Sequence, residues 1–385
     1  MIGKGTSESP YIVSTAEDFI ALEGMMETTA ENPCYIKLEN DIDFSEYTDG
    51  YGGLTISSGV QYINLDGRNH KIIHFYQTAG DTGGLFTGTV GGVIKNIELS
   101  GFRIETSYIG SNPFPIGGFA PMFESINLSN VIVTGEITAP SLNNGAAVGG
   151  IFGKNASSGA TFTADNCITK VNTSGGFYVG GFVGLMTSVT AILSRCSSAC
   201  RINWAYDYGG GFIGWGYGGE HTFDFCYSKS EFGISGTSFK YCGGFAGETC
   251  LTTLNNCVTE SKFIHEQSTN NTYCGGFCSS AKFTNYNSQI LQCYSRASFK
   301  NINTVTGFIR SSDGTTNKRP AQIRQSYSAI MCIDCSTVYP FSDYKELYNS
   351  FYDSDILTSS ADTDGAETTA NLKSAEWLRS QGWAI

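Results

Sequence analysis

The sequence is poor in charged residues, and basic residues are the scarcer kind. Only 15% of its 385 residues are charged, and 23 Lys and Arg stand against 35 Asp and Glu, which gives a formal net charge of −12. Nucleic-acid binding depends on clustered Lys and Arg that neutralise phosphates and release counterions. The deficit therefore argues against nucleic acid as a partner, and equally against an anionic membrane surface.

Long apolar runs are also absent. No stretch of the sequence approaches the roughly 18 apolar residues of a membrane-spanning helix, and the first ten residues contain no apolar core of a secretion signal. We therefore expect no membrane insertion. We expect the protein either to stay in the cell that makes it or to leave by lysis, by a dedicated export machine or through a signal that this sequence does not contain.

The residues of several common chemistries are missing. There are only four histidines and no nucleophile elbow for Ser-His-Asp catalysis, and the glycines at 209–211 are not followed by the Lys-Ser or Lys-Thr of a phosphate loop. Cys332 and Cys335 form a lone CxxC, which is weak evidence for zinc or redox chemistry. The acidic loop at 353–367 lacks the full ligand spacing of a calcium site. We predict no cofactor and no metal.

What the sequence does contain is a repeated phrase of two glycines followed by two apolar residues. It occurs at 83–86, 117–120, 149–152, 180–183, 210–213, 243–246 and 275–278, with a degraded copy at 307–309, and successive copies are 30 to 34 residues apart. A period this steady indicates a repeat protein. Because glycine readily adopts positive φ, we interpret each Gly-Gly as a turn of that kind.

The order of features inside each repeat is constant. A short apolar strand follows Gly-Gly, a second strand ends at a recurrent cysteine, and a third strand leads to the next Gly-Gly. Three short strands are too few for a propeller blade, and the repeat lacks the helices of helix-pair arrays, so it fits one coil of a parallel β-helix. Free cysteine is a small, readily buried hydrophobe, and we predict one column of buried, reduced thiols at Cys167, Cys196, Cys226, Cys257 and Cys293.

We therefore predict an all-β fold, a right-handed parallel β-helix (solenoid) with a short capping helix at each end. Residues 1–45 would form the N-terminal cap, with an extended segment, a helix at about 15–28 and a first strand. Residues 46–345 would form the coils, and residues 346–385 an acidic loop and a capping helix at 369–383. Stacked coils should also align an apolar column (Leu85, Phe119, Ile151, Phe182, Phe212, Phe245, Phe277 and Phe308) and a tyrosine column (Tyr178, Tyr208, Tyr241 and Tyr273).

The densest group of unusual residues surrounds the fifth Gly-Gly. Exposed aromatic rings beside acids suit a sugar, because its CH groups pack on the rings while its hydroxyls find hydrogen-bond partners. The alternative is that these rings fill corners of the coil. Asp207 and Glu220 could also serve as a carboxylate pair for glycoside cleavage, which needs a separation of roughly 5 to 9.5 Å. The predicted glycan-binding residues are Trp204, Tyr206, Asp207, Trp215, Tyr217 and His221.

Three further stretches accompany the repeats. They read Gly-Thr-x-x-x-Pro-Tyr-Ile-Val-x-Thr-Ala-Glu-Asp-Phe at 5–19, Leu-Asp-Gly-Arg-Asn-His-Lys-Ile at 65–72 and Trp-Leu-Arg-Ser-Gln-Gly-Trp at 377–383. Together with the Gly-Gly phrases they resemble the GLUG-type glycine-rich repeat proteins of bacterial surfaces and bacteriophage tails. The resemblance covers nearly the whole chain and implies an adhesive or structural role without a shared catalytic motif. The usual secretion signal and anchor of bacterial surface members are missing.

From this resemblance we expect a non-enzymatic structural or adhesive protein of a phage virion, in the tail or host-attachment apparatus. It would be assembled in the host cytosol, contact other virion proteins and present loops to a host cell-surface glycan or receptor. The sequence is compatible with a homo-oligomer. The alternatives are a bacterial cell-surface adhesin, extracellular and with its signal removed, and a tailspike-type polysaccharide depolymerase.

Overall fold

A computed structural model describes most of the chain. The described residues are 2–25, 27–57, 59–107, 114–139, 145–203, 207–234, 240–266, 272–283, 289–311, 321–341, 345–348, 350–353, 366–367, 374, 376 and 380. Within them the chain forms a parallel β-solenoid of about eight turns, so the predicted β-helix architecture is confirmed. Among these residues no helix is long and apolar enough to span a membrane.

The strands of the first coils pair in parallel with one another, and three of them are 14 to 19 residues long. Those of the predicted N-terminal cap join the same sheet, since Tyr11 pairs with Ile36 and Ile36 with Leu65. The strands of this part are Tyr11–Val13, Cys34–Leu38, Ile42–Asp43, Val60–Ile73, Tyr76–Ala79, Thr89–Thr106 and Ala120–Thr138.

Later coils contribute one strand each to a separate parallel sheet, called here the tyrosine sheet. Its eight strands are Phe114–Gly117, Ala146–Gly149, Tyr178–Gly180, Tyr208–Gly210, Lys240–Gly243, Thr272–Gly275, Thr304–Thr306 and Thr337–Tyr339. Most of these strands end at the first glycine of a Gly-Gly phrase, so each phrase is the corner at which the chain leaves this sheet.

The remaining strands belong to the large sheet that wraps around the solenoid. Between the Gly-Gly corner and the cysteine column they are Phe152–Asn155, Thr161–Asp165, Val183–Ser194, Ile213–Asp224, Ala246–Asn255, Cys278–Phe283, Gln289–Leu291, Ile309–Ser311, Ala321–Arg324 and Lys345–Tyr348. After the cysteine column they are Ile168–Ser174, Ser197–Ser198, Arg201–Asn203, Tyr227–Ser228, Glu231–Ile234, Val258–Thr259, Lys262–His265, Tyr294–Ser295, Ser298–Lys300, Tyr327–Ser328, Met331–Ile333, Phe351–Asp353 and Ala366–Glu367.

The N-terminal helix is shorter than predicted. It runs from Ala16 to Ile20, and the Thr15 side chain caps it by accepting a hydrogen bond from the Asp18 backbone N–H. Phe19 is buried against Phe44, with ring centroids 5.9 Å apart. The chain leaves the helix through turns that reach Gly24, whose φ is +65°. Most of the predicted C-terminal helix at 369–383 and the acidic loop at 354–365 lie outside the described residues.

The predicted reason for the Gly-Gly phrase is wrong. None of its glycines is among the described residues with positive φ. Glycine is required there because backbones pass too close for a side chain. A Cβ on Gly210 would lie 2.0 Å from the Ile213 carbonyl oxygen, and a Cβ on Gly211 would lie 2.1 Å from the Gly244 oxygen. Both distances are far below van der Waals contact.

Positive φ occurs instead at the residue that precedes the cysteine column. Eight successive coils place this residue at φ between 46° and 53°, namely Asn96, Asn130, Asn166, Arg195, Phe225, Asn256, Gln292 and Gln325. Asparagine tolerates this conformation better than most residues. In the first coils the side chains also bond to each other, since the Asn130 amide donates to Asn96 at 2.9 Å and the Asn166 amide to Asn130 at 2.8 Å.

The predicted apolar and cysteine columns are confirmed. The rings of Phe182, Phe212, Phe245, Phe277, Phe308 and Phe341 follow one another with centroids 4.9 to 5.2 Å apart. Every one of them is fully buried, and the column extends one coil beyond the prediction, to Phe341. All five cysteines of the thiol column are buried and free. Stacked rings add about 0.5–1.5 kcal/mol per pair to their burial.

We predict that Phe212→Asp prevents folding. Phe212 is 0% exposed and contacts rings in both neighbouring coils. Removing a buried ring costs about 3–5 kcal/mol, and an unpaired buried charge adds to that cost. The measurement is the yield of soluble protein with a cooperative thermal transition.

The control is Phe225→Asp in the same coil. Phe225 is 59% exposed, and its φ of 50° is a conformation that aspartate tolerates. This variant should fold with a melting temperature close to that of the wild type. A Phe212→Asp protein with the wild-type melting temperature would contradict the buried column.

Candidate functional site

The Gly210-Gly211 corner brings together two parts of the predicted site. Asp207 and Tyr208 come just before the corner, while Trp215 and Tyr217 follow it on the strand Ile213–Asp224. The strand that follows the corner packs closely on the tyrosine sheet. Gly214 permits this approach, because a Cβ at this position would lie 2.6 Å from the Val179 nitrogen. Trp204 and Tyr206 lie outside the described residues.

The tyrosine column predicted from the period is confirmed. Parallel register aligns Tyr178, Tyr208, Tyr241 and Tyr273 on the tyrosine sheet. Successive ring centroids are 5.8, 5.1 and 5.5 Å apart, and successive ring planes differ by 23°, 13° and 17°. All four side chains are half-buried. Because the rings face each other, they present mainly their edges and hydroxyl groups outward.

Trp215 packs against this column, and Tyr217 packs against Trp215. The Trp215 ring lies 5.2 Å from Tyr178 at an interplanar angle of 14°, and 5.5 Å from Tyr208 at 24°. The Tyr217 ring lies 5.7 Å from Trp215, and its side chain is 50% exposed. We call Tyr178, Tyr208, Trp215, Tyr217 and Tyr241 the aromatic cluster. Tyr217 is its most accessible ring.

Two carboxylates and a lysine accompany the aromatic cluster. Burial raises the pKa of Asp207 to about 6, with the nearby Glu248 charge adding to the shift and Lys240 opposing it. Lys240 is only 2% exposed, and burial lowers the pKa of its amine. Glu248 stands in register with Trp215 in the next coil. The side-chain charges at this site therefore come from two successive coils.

The acid near Asp207 is thus Glu248, rather than the Glu220 proposed from the sequence. Gly218 and Gly219 have φ of +72° and +86° and turn the chain. Glu220 follows this turn on the same strand, where it is exposed and in register with Thr190. Its charge is not among those that shift the pKa of Asp207. Sequence reasoning missed Lys240 and Glu248, although both lie one repeat period, 33 residues, after Asp207 and Trp215.

His221 does not face the aromatic cluster. It is 0% exposed, and its Nδ1 lies 2.5 Å from the Thr249 hydroxyl oxygen. Gly216 makes room for the ring, since a Cβ there would be 2.3 Å from the His221 Cε1. Burial lowers the pKa of His221 to about 4. The histidine fills the interior of its coil and cannot contact a ligand at the surface.

Metal ligands do not cluster in the part of the chain that the structure describes. No group of three His, Cys, Asp or Glu side chains there could hold an ion. Cys332 and Cys335, the CxxC pair, are both free and partly exposed.

The comparisons with known proteins are distant. No family model matches the chain. An alignment over 164 residues that covers 39% of this chain shows 32% identity to Halomucin of Haloquadratum walsbyi (strain DSM 16790 / HBSQ001), and it spans only 2% of that protein. Among solved structures, a "putative immunoglobulin A1 protease" from Bacteroides ovatus has 15% identity and a TM-score of 0.49, over 89% of this chain and 86% of that one. These similarities assign no activity to the chain.

The Asp207 environment predicts a specific pH dependence of stability. Its folded pKa of about 6 lies above the ordinary value of 3.8, so between these pH values the folded state binds more protons than the unfolded state. Stability from this group therefore falls as the pH rises from 4 to 6. We expect the melting temperature of the wild type, relative to Asp207→Asn, to decrease over this interval.

The pH dependence is measured as the difference between the wild type and Asp207→Asn, because His221 changes the stability of both proteins in the opposite direction. Its folded pKa is about 4, below the ordinary 6.5, so its contribution is present above pH 6.5 and is lost as the pH falls towards 4. The control is Glu220→Gln, an exposed acid outside the aromatic cluster. A difference between wild type and Asp207→Asn that stays constant from pH 4 to 7 would refute the buried carboxylate.

Proposed function

We propose that the protein is a non-enzymatic adhesive protein that binds a cell-surface saccharide at the aromatic cluster. The observation that carries this proposal is the half-exposed group of rings beside Asp207 and Glu248. A sugar offers apolar CH groups to an aromatic face and hydroxyls to acids and phenols. Tyr217 supplies the accessible face, and the row of tyrosine hydroxyls and the two carboxylates supply the polar partners.

The solenoid suits such a role because it is a rigid display surface. Every described coil is tied to its neighbours by parallel strand pairing and by buried columns. A ring held between stacked neighbours loses little conformational freedom when a ligand binds, and less ordering on binding leaves more of the contact energy as affinity. Tyr208 is held in this way between Tyr178 and Tyr241, and Trp215 packs on Tyr178 and Tyr208.

The biological setting that we propose is the tail or host-attachment apparatus of a phage virion, where the protein would contact other virion proteins and a host glycan. The resemblance to GLUG-type repeats supports this setting, and a bacterial surface adhesin is the alternative. Mass spectrometry of purified virions and of bacterial envelopes distinguishes them. Peptides of this chain should occur in virions, and their confinement to envelopes would favour the adhesin.

A second candidate is a polysaccharide depolymerase, because burial keeps Asp207 partly protonated near pH 6 beside another carboxylate. A protonated acid next to an ionised one is the arrangement that glycoside cleavage uses. Release of reducing ends from purified bacterial surface polysaccharides measures this activity. We expect none. Release that Asp207→Asn abolishes would overturn the non-enzymatic proposal and establish the depolymerase.

We predict that Tyr217→Ala weakens binding to bacteria and to their purified surface polysaccharides by roughly tenfold, the effect of losing about 1.4 kcal/mol of ring contact. Binding is measured across a panel of strains with labelled protein. The matched control is Tyr348→Ala, which removes another exposed tyrosine from a strand outside the aromatic cluster. Equal binding by Tyr217→Ala and the wild type would contradict the proposed site.

A further inference from the structure

We propose a second saccharide site, selective for acidic sugars, in a groove at the N-terminal end of the solenoid. The groove has a volume of about 370 Å³ and lies on the outward face of the strands Cys34–Leu38, Val60–Ile73 and Thr89–Thr106. Ser7 of the N-terminal segment forms one wall. The aromatic cluster belongs to later coils, so this site is independent of the function proposed above.

Parallel register builds the floor of the groove from two rows of side chains. The first row is Tyr35, Asn64 and Val93, and the second is Lys37, Asp66 and Lys95. All six line the groove. Adjacent parallel strands lie about 4.8 Å apart, so the two lysines are separated by roughly twice that distance with the aspartate between them.

The wall is fixed by backbone hydrogen bonds. The Tyr35 N–H donates to the Gly5 carbonyl at 2.9 Å, and the Lys4 N–H donates to the Ser9 carbonyl at 2.8 Å across a tight loop. These bonds hold Ser7 beside the first strand of the floor. The groove is therefore formed before a ligand arrives, which reduces the ordering cost of binding.

The charges in the groove leave one lysine without a counter-charge. Asp66 accepts hydrogen bonds from the Arg68 N–H at 3.0 Å and from the Asn96 amide at 3.1 Å, and its other oxygen lies 3.5 Å from the Lys95 amine. Asp66 therefore offsets Lys95. Lys37 is exposed and makes no ion pair within the described part of the chain. The groove carries a local positive charge on a protein whose net charge is −12.

The ligand that fits these groups is a sugar with a carboxylate. Its ring would pack against Tyr35, its hydroxyls would bond to Asn64 and Asp66, and its carboxylate would pair with Lys37. A neutral sugar would offer no anionic group to pair with the Lys37 amine. The structure thus points to a uronic-acid polymer rather than a neutral glycan.

The test is isothermal titration of the full chain with acidic oligosaccharides from polygalacturonate, alginate and hyaluronan, each compared with neutral maltohexaose and cellohexaose. At least one acidic series should bind, the neutral sugars should not, and added salt should weaken binding because the contact is ionic. Lys37→Gln should lower the affinity about tenfold, the usual effect of losing one charged hydrogen bond.

The matched control is Lys71→Gln, which removes a surface lysine paired with Glu98 at 3.0 Å outside the groove and should leave the affinity unchanged. Tyr217→Ala should also leave it unchanged, which separates this site from the aromatic cluster. Lys37 is exposed, and its variant should keep the wild-type melting temperature. The proposal is overturned by equal affinity of Lys37→Gln and wild type, by equal binding of acidic and neutral sugars, or by no binding of any acidic series.

Discussion

The close approach of backbones at each Gly-Gly corner is the constraint on which the rest of the solenoid depends. At Gly211 a single added carbon would collide with the Gly244 carbonyl of the next coil and would lie 2.5 Å from the Ser228 hydroxyl oxygen. The same pair of close contacts recurs at Gly181, Gly244 and Gly276. With these corners tight, the strands stack in register, and the phenylalanine, tyrosine and cysteine columns follow from that stacking.

The same corner creates the surface to which we assign function. It folds the strand that begins at Ile213 back against the tyrosine sheet, which places Trp215 on Tyr178 and Tyr208. In the equivalent position the neighbouring coils carry Leu185 and Glu248. Trp215 is the one ring in a row whose other described members include Met122, Lys154, Leu185, Glu248 and Ser280. The aromatic cluster is therefore confined to this part of the solenoid.

The repeat period predicted the columns because stacked coils differ by little more than a translation along the solenoid. The repeat period could not predict which side chains of one coil point inward and which point outward where the strand is irregular. His221 is the clearest case. Counting alternate residues from Trp215 and Tyr217 places His221 on the outward face, but Gly218 and Gly219 adopt positive φ and reverse the alternation. Thr222 is therefore partly exposed, while His221 is buried.

The partners of Asp207 were missed for a related reason. Lys240 and Glu248 are distant from Asp207 in sequence and become its neighbours only through stacking, whereas the sequence alone favours Glu220, the nearest acid along the chain. The sequence does not reveal the role of the repeated glycines either, because it shows that glycine recurs but not whether a backbone torsion or a lack of space requires it. The distances to neighbouring backbones decide this question in favour of space.

The most direct test of the account is the thermal stability of Gly211→Ala compared with Gly80→Ala. Gly211 has neither positive φ nor room for a methyl group, whereas a Cβ on Gly80 would meet nothing within 4 Å. Overpacking typically costs about 1–3 kcal/mol, so Gly211→Ala should melt clearly below the wild type while Gly80→Ala should not. Equal melting temperatures for Gly211→Ala and the wild type would contradict the close-packed corner.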